Sequence, residues 1–223
     1  ESIETLAGEI GYLGGAGLVV DIASGELLVA TSFPEYDSET LSTGSDRESI
    51  NAFIADPNKP FLNRAVGGLY SSGSTVKPFI ALGALNENII NANTTVYSSG
   101  EIRVPNPYNK ELFTVFRDWK KGGHGTTDVT KAIAESVNTF FYAIGGGYEG
   151  QAGLGIKKKK KYIKLFEIGD KTGVDILGEV SGVVPGPEWK KKVFDGDSWR
   201  LGDTYNTSIG QYGFQVTPVE MLR

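Results

Sequence analysis

The chain has 223 residues, long enough for one large domain or two small ones, and its formal net charge of −5 gives no general attraction to nucleic acid. The absence of cysteine excludes a disulfide framework and a thiolate metal site. No apolar run approaches the roughly 20 residues that span a bilayer, and residues 1–9 lack a signal-peptide pattern. We therefore expect any membrane anchor or export signal to lie outside this chain.

The N-terminal part of the chain predicts a β-hairpin between about residues 15 and 32. Two β-rich runs, 18–22 and 27–31, flank the turn Ala23-Ser24-Gly25-Glu26, a pattern typical of two short antiparallel strands. Residues 1–11 fit the end of a helix. The polar, turn-rich residues 32–60 indicate a long connection over the surface.

A candidate nucleophile follows in the segment Gly73-Ser74-Thr75-Val76-Lys77-Pro78. A helix that begins near Ser74 places Ser74 and Lys77 on one face, and Pro78 is tolerated close to a helix start. Burial and the positive helix N-terminus both lower the pKa of a lysine, which can then take the proton of a serine hydroxyl. Ser-x-x-Lys alone is a weak signal, and a capping serine beside a solvated lysine is the alternative.

The middle of the chain is expected to be less regular. The helix that starts near Ser74 is predicted to end around Asn86 to Asn88. Residues 91–119 have a mixed pattern, and Pro105 and Pro107 are expected to break any regular element there.

A second polar pair lies inside a predicted helix. Thr126-Thr127-Asp128 is a helix-start signal with Thr127 as the candidate N-cap, and an apolar face follows it. Ser136 and Asn138 lie within that stretch, and residues two apart do not share a helix face. If both side chains point into one cavity, the backbone must leave helical geometry between them. The alternative is a plain amphipathic helix with the pair on its exposed side.

Two lysine-rich segments invite functional interpretations that we do not favour. The run Lys157–Lys161 resembles a membrane or nucleic-acid patch, but five consecutive charges do not make one helix face. We interpret it as a solvated helix that Gly169 ends as C-cap. Lys171-Thr172-Gly173 resembles the third element of a Ser-x-x-Lys acyl-transfer site, which lies on a strand. Because it follows a helix cap directly, we interpret it as a connection.

Near the C-terminus, Thr217 and Pro218 predict the start of another helix, with Thr217 as the N-cap and Pro218 as the first helical residue.

Several other chemistries lack the residues that they need. The chain has one histidine, His124, and with Asp118 it could supply two metal ligands, but no cysteine or second histidine completes a set. A surface or locally hydrogen-bonded histidine is the favoured interpretation. Neither a P-loop nor a dinucleotide-binding glycine pattern occurs. We therefore predict no metal and no cofactor, and a site that depends on serine and lysine.

The order of the motifs resembles that of a known family, the transpeptidase domains of class B penicillin-binding proteins, and most closely the elongation-type penicillin-binding protein 2 group. The resemblance covers about residues 15–223. It rests on five motifs: Gly73–Pro78; Arg117-Asp118-Trp119 with Gly123-His124-Gly125; Glu135–Tyr142; Thr172–Asp175 followed by Gly178-Glu179; and Ile209-Gly210-Gln211 with Thr217-Pro218.

The resemblance implies a fold and a set of roles. The fold is α/β of the serine β-lactamase/D,D-peptidase type: an antiparallel sheet flanked by helices, with the hairpin at about 15–32 and an all-helical lobe within about 62–223. Ser74 attacks the penultimate D-Ala carbonyl of a peptidoglycan stem peptide, or a β-lactam, and Lys77 accepts its proton. Ser136 relays a proton to the leaving amine, and Asn138 binds the donor peptide backbone.

The resemblance also implies partners, a location and a truncation. The partners are peptidoglycan stem peptides, β-lactams and wall-polymerase or elongation-complex proteins, without nucleic acid. The expected location is the extracytoplasmic face of the bacterial membrane, with an N-terminal helix outside this chain as the anchor. The family also has a non-catalytic pedestal domain, which we do not expect within these residues. In this family, the strand that carries Lys-Thr/Ser-Gly follows the loop that carries Gly-Gln, and the given sequence stops before such a strand. We therefore expect this chain to be a fragment that lacks its final strands and is inactive alone. Without those strands, the hairpin is expected to keep an unpaired edge.

Two other classes of function remain open on the sequence. One is a hydrolase of the same fold, a D,D-carboxypeptidase or a β-lactamase, against which the Arg117–Trp119 and Gly210-Gln211 segments argue. The other is a non-catalytic β-lactam sensor or scaffold.

Overall fold

The computed structural model describes residues 2–106, 109 and 111–223. The chain divides into two compact units. Unit 1 comprises Glu1–Tyr70, Glu167–Gly182 and Val216–Arg223, and unit 2 comprises Ser71–Phe166 and Val183–Gln215. Helices and antiparallel strand pairs occur together, which confirms the predicted α/β class. The domain boundaries predicted from the sequence stay a prediction.

The elements of the described residues follow in chain order. The helices are α1 (Ser2–Ile10), α2 (Ser38–Thr43), α3 (Arg47–Ala55), α4 (Arg64–Gly67), α5 (Lys77–Asn86), α6 (Val129–Ala134), α7 (Asn138–Gly146), α8 (Gly155–Leu165), α9 (Pro187–Val193), α10 (Leu201–Ser208) and α11 (Pro218–Leu222). The strands are β1 (Gly15–Val20), β2 (Leu27–Phe33), β3 (Tyr70–Ser71), β4 (Val96–Ser98), β5 (Glu101–Pro105), β6 (Phe113–Arg117), β7 (Gly125–Thr127) and β8 (Gln215–Val216).

Unit 1 contains the predicted hairpin. Strands β1 and β2 pair antiparallel from Gly15 opposite Phe33, and the turn between them uses Gly25 at a φ of +76°. The unit's core is formed by α4 and α11, with β1 and residues 174–176 packed against it. Val19, Leu28 and Val29 on the hairpin are exposed, so part of its apolar surface is uncovered in this chain.

The connection from 32 to 60 is more ordered than the sequence predicted. It lies on the surface, as expected, but it forms the two short helices α2 and α3, which bury none of their side chains. Each begins at an aspartate whose carboxylate accepts backbone N–H bonds: Asp37 from Glu39 and Thr40, and Asp46 from Ser49. These N-caps satisfy the free donors of the first turn, a signal that the turn-rich composition concealed.

The Lys171-Thr172-Gly173 triplet is a connection, as predicted, and not a strand. Its backbone is held by one carboxylate: the Thr172 N–H and hydroxyl donate to Glu179 Oε1 at 2.5 and 2.6 Å, and the Gly173 N–H donates to Oε2 at 3.1 Å.

A second carboxylate, that of Glu220, joins three parts of unit 1. Glu220 is 2% exposed and accepts from the N–H groups of Gly169 (3.2 Å), Gly182 (2.8 Å) and Thr217 (2.7 Å). Thr217 in turn caps α11 and Pro218 opens it, as predicted. Gly169 was expected to be the C-cap of α8, but that helix ends earlier, at the cap residue Phe166, whose N–H folds back onto the Ile163 carbonyl.

Unit 2 carries the longest helices and most of the core. Among the described residues of unit 2, the largest apolar side chains that are fully buried belong to α5, α7, α8 and the α10–β8 region: Ile80, Phe140, Phe141, Ile144, Ile163, Tyr205 and Phe214. Helix α5 ends at Asn86, within the predicted range. Helix α8 carries the lysine run, but only part of it is solvated. Lys158 and Lys161 lie beside Glu87, at 2.8 and 3.3 Å, whereas Lys159 is buried.

Unit 2 also contains strands, which the sequence did not predict. Strand β4 pairs with β7, and β5 pairs with β6 from Glu101 opposite Arg117 to Pro105 opposite Phe113. The lobe is therefore not made of helices alone. Pro105 does not break the segment because β5 belongs to a two-stranded sheet and pairs on one side only, and such an edge strand tolerates a proline. Pro107 lies outside the described residues.

The start of α6 differs by one residue from the prediction. Asp128, not Thr127, is the N-cap, and its carboxylate accepts from the Lys131 N–H at 2.8 Å. Thr127 is unavailable because it belongs to β7, opposite Val96, and its hydroxyl donates to the Gly125 carbonyl. Across the described part of the chain, no helix is both long and apolar enough to cross a bilayer.

We predict that Glu220→Ala lowers the free energy of unfolding of the protein by about 3 kcal/mol, because three backbone N–H donors lose a charged, buried acceptor. Urea denaturation followed by circular dichroism measures the change. Glu188→Ala is the control, since that side chain is 89% exposed. Equal stability of the two variants would contradict the role assigned to Glu220.

Candidate active site

Ser74 lies where the chain enters a helix, as predicted. A 3₁₀ turn, Gly73–Val76, runs directly into α5, whose first residue is Lys77. Gly73 has a φ of +54°, a left-handed conformation that glycine adopts without strain. The Ser74 side chain is exposed, whereas Lys77 is 2% exposed. The alternative of a solvated lysine is therefore wrong.

Ser136 interrupts the helical stretch that contains it. Helix α6 ends at Ala134, α7 begins at Asn138, and Ser136 between them has a φ of +53°. A left-handed serine redirects the chain, so that side chains two positions apart can face the same group. The predicted departure from helical geometry is confirmed, and the plain amphipathic helix is excluded.

The four candidate residues meet around the Lys77 amine. Lys77 Nζ donates to the Ser136 carbonyl oxygen at 2.7 Å, to the Ser136 hydroxyl at 2.9 Å and to Asn138 Oδ1 at 2.7 Å. The Ser136 hydroxyl donates in turn to Ser74 Oγ at 2.9 Å. The sequence predicted direct approach of the amine to Ser74, whereas here the two groups are joined through Ser136.

The surroundings of Lys77 weaken its hold on a proton. Burial lowers the pKa of Lys77 to about 8, against the opposing effect of the negative charge on Asp118. The amine also lies 5.4 Å from the centre of the Phe141 ring, which limits access of water to that side. An amine that titrates near pH 8 can serve as a base in neutral solution, which an ordinary lysine cannot do.

Trp119 and Asp118 hold the Ser136 turn, and sequence analysis assigned neither of them a role in the site. The Trp119 indole N–H lies 3.2 Å from the carbonyl oxygens of both Glu135 and Ser136. Asp118 Oδ2 accepts from the Thr139 N–H at 2.9 Å and from its hydroxyl at 3.0 Å, at the first turn of α7. In the sequence, both belonged to the Arg117-Asp118-Trp119 motif, and Asp118 was otherwise considered only as a possible metal ligand beside His124.

His124 supports the same turn and does not lie on the surface. It is 7% exposed, its Nδ1 lies 2.6 Å from Glu135 Oε2, and its Nε2 lies 3.4 Å from Asp118 Oδ1. The local hydrogen bond is as predicted, and this bond lowers the pKa of Glu135. In the described ranges, no three potential metal ligands are grouped so as to hold an ion.

Gly210 fixes the backbone beside the nucleophile and was also missed as part of the site. Its carbonyl oxygen accepts from the Gly73 N–H at 3.1 Å and from the Ser71 hydroxyl at 2.8 Å. A side chain is excluded at this position, since a Cβ would lie 2.1 Å from the Gly73 carbonyl oxygen and φ is +70°. The Gly210-Gln211 pair in the sequence was the available signal.

Comparison with known proteins gives consistent results. A family model described as penicillin binding protein transpeptidase domain matches residues 15–223. Peptidoglycan D,D-transpeptidase MrdA of Escherichia coli (strain K12) is 37% identical over 208 residues, 93% of this chain and 31% of that protein. MrdA of Haemophilus influenzae is 37% identical over 211 residues, 95% of this chain and 31% of that protein. The chain thus spans about a third of the length of these curated relatives.

Solved structures agree with the predicted fold. Penicillin-binding protein 2 of Helicobacter pylori, solved in complex with MreC, has a TM-score of 0.82 and 40% identity over 93% of this chain and 36% of that chain. Its counterpart from Pseudomonas aeruginosa has a TM-score of 0.82 and 29% identity over 98% of this chain and 47% of that chain.

We predict that Asp118→Asn lowers the pKa of Lys77 below about 8, because it removes the charge that favours the ammonium form. Carbon-13 NMR of the lysine side chains across a pH titration measures the value. Asp195→Asn, which makes the same charge change at an exposed residue, is the control and leaves the Lys77 titration unchanged. A rise in the pKa of Lys77 in Asp118→Asn would contradict the electrostatic assignment.

Proposed function

The chain belongs to the penicillin-binding protein transpeptidase domain family, and from this premise we propose that it carries the serine nucleophile of a peptidoglycan D,D-transpeptidase of the penicillin-binding protein 2 group. The observation that carries the proposal is the hydrogen-bonded series Ser74 Oγ, Ser136 Oγ and Lys77 Nζ, with both links at 2.9 Å.

The first half-reaction is acylation of Ser74. With Lys77 as the neutral amine, the Ser74 proton passes to Ser136 while the Ser136 proton passes to Lys77. The Ser74 oxygen attacks the carbonyl carbon of the penultimate D-Ala of a stem peptide, and the peptide C–N bond breaks. The terminal D-Ala leaves as an amine after taking the proton back from Lys77 through Ser136. The stem peptide is then held as an ester on Ser74.

The second half-reaction resolves the ester. An amine on a neighbouring stem attacks the ester carbonyl and gives its proton to the same Ser136–Lys77 pair. A new peptide bond forms, the proton returns to Ser74 and the enzyme is regenerated. Because the ester conserves the energy of the broken peptide bond, no nucleotide is consumed. A β-lactam acylates Ser74 by opening its ring.

Asn138 is proposed to orient the donor peptide. Its Oδ1 is already engaged by Lys77 at 2.7 Å, which directs the amide NH₂ group away from the amine. An amide NH₂ has two donors, and one of them can bind a carbonyl of the stem-peptide backbone. One side chain would then contact both the base and the substrate.

The whole protein is proposed to act in cell-wall elongation and cell-shape maintenance at the extracytoplasmic face of the bacterial membrane, anchored by a helix outside this chain. A solved relative from Helicobacter pylori is a complex with MreC, which supports proposing partners from a wall-synthesis assembly.

Two relatives are named D,D-transpeptidases, so the hydrolase alternative is not favoured. A cross-linked product rather than a free acid distinguishes the two reactions.

We predict that Ser74→Ala abolishes labelling of the protein by a fluorescent penicillin, because the acyl group has no attachment site. Gel fluorescence of the gene product that carries this chain measures the labelling. Ser99→Ala is the matched control, since its hydroxyl donates only locally, to the Glu101 carbonyl. Equal labelling of Ser74→Ala and the wild-type protein would refute Ser74 as the nucleophile.

We predict that the rate of penicillin acylation rises with pH and levels off above about 8, because the fraction of neutral Lys77 grows as pH passes its pKa. Lys77→Arg stays charged throughout and loses about 10² to 10⁴ in rate. Stopped-flow fluorescence from pH 6 to about 9.5 measures the profile. The control Lys157→Arg keeps the wild-type profile, and a profile that is flat through pH 8 in the wild-type protein would exclude Lys77 as the base.

A further inference from the structure

Lys159 is a buried amine that the proposed reaction does not use. It lies in the middle of the lysine run on α8 and is 1% exposed, whereas Lys157, Lys158 and Lys161 are exposed. A lysine on a solvated helix face needs no partners, but a buried one must place its amine against acceptors.

The acceptors of Lys159 all lie in the C-terminal part of α10, at Thr204, Thr207 and Ser208. Lys159 Nζ donates to the Thr204 carbonyl oxygen at 2.8 Å, to the Thr207 hydroxyl, and to the Ser208 hydroxyl at 3.3 Å. All three groups are uncharged, and burial lowers the pKa of Lys159 to about 7. The amine therefore lies near the negative end of the α10 dipole, and its one backbone acceptor is the Thr204 carbonyl oxygen.

The end of α10 leads directly to the nucleophile. Ser208 is followed by the buried Ile209 and then by Gly210, whose carbonyl accepts the Gly73 N–H at 3.1 Å. Ser208, which Lys159 contacts, is therefore linked to Gly73 through two steps along the chain, to Gly210, and one backbone hydrogen bond. Gly73 directly precedes Ser74.

The same turn of α10 is fitted closely to α7, so it has little freedom to shift. A Cβ on Gly145 would lie 2.1 Å from Ser208 Oγ, and the Tyr205 hydroxyl donates to the Gly147 carbonyl at 2.6 Å. Lys159 adds the third contact to this turn, from α8. Loss of that contact frees one side of the turn while the α7 side stays packed.

We propose that Lys159 is a positioning residue for Ser74: it holds the last turn of α10 and thereby fixes the Gly210 carbonyl that binds the Gly73 backbone. This inference rests on the proposed role of Ser74 as the nucleophile. Lys159 does not touch the reacting atoms, so it acts on their placement alone.

The experiment compares three variants of the gene product that carries this chain. Lys159→Met keeps most of the length of the unbranched side chain and removes its donors, and Lys159→Gln keeps an N–H donor. Lys157→Met is the matched control at an exposed position of the same run. Two readouts are used: hydrogen–deuterium exchange of peptides that cover residues 71–76 and 208–212, and penicillin acylation separated into its binding constant and its acylation rate constant.

For Lys159→Met we expect exchange to rise in both peptides but not in residues 15–33, and the acylation rate constant to fall about tenfold at an unchanged binding constant. Lys159→Gln is expected to recover part of the rate, and Lys157→Met to match the wild-type protein. A general loss of stability would raise exchange throughout the protein and would not separate the rate constant from binding.

Three results overturn the proposal. The first is unchanged hydrogen–deuterium exchange of residues 71–76 in Lys159→Met, and the second is an unchanged acylation rate constant in a Lys159→Met protein that penicillin still labels. The third is failure of both Lys159 variants to fold, which would show that Lys159 contributes to general stability. If the wild-type protein is not acylated, the proposed function fails, and the exchange data alone still decide whether Lys159 fixes the nucleophile segment.

Discussion

The site depends on a single buried amine and the oxygens that surround it. Transferring an ammonium group from water into a protein costs free energy unless hydrogen bonds replace those to water. Lys77 receives three replacements, all from Ser136 and Asn138, at 2.7 to 2.9 Å. The compensation is partial, which is why the pKa of Lys77 falls to about 8 and does not stay near 10.5. The same contacts thus make the amine both ordered and available as a base.

Holding three oxygens around one amine places strict demands on the backbone. Ser136 must adopt a left-handed conformation, which costs a serine about 1 kcal/mol or more. The surrounding structure compensates through the Trp119 indole on the Ser136 carbonyl and through Asp118 at the start of α7. Next to Ser74, Gly210 packs so closely against Gly73 that a Cβ at position 210 would lie 2.1 Å from the Gly73 carbonyl oxygen. Rigid supports therefore surround a nucleophile that itself stays exposed to substrate.

The sequence was informative where a local rule determined the structure and uninformative where packing did. The spacing of Ser74 and Lys77 was enough to place both at one helix start, and the two β-rich runs on either side of the Ser24-Gly25 turn were enough for the hairpin. The composition of the lysine run could not reveal that Lys159 is buried, because that depends on which face of α8 meets α10. Likewise, Thr127 and Asp128 are both good N-caps by type. Strand pairing with Val96 decided between them, and such a long-range contact leaves no local signal.

Glu220 has a consequence for the order in which the protein is assembled. Its carboxylate binds backbone donors 51 and 38 residues earlier in the chain, at Gly169 and Gly182. Unit 1 also takes its strands from residues 15–33 and its helix α11 from 218–222, with unit 2 inserted between these segments. During synthesis from the N-terminus, the hairpin therefore emerges long before the helix that covers part of it. The apolar side chains that β1 packs against α11 therefore stay without that partner until the last residues of the chain are available.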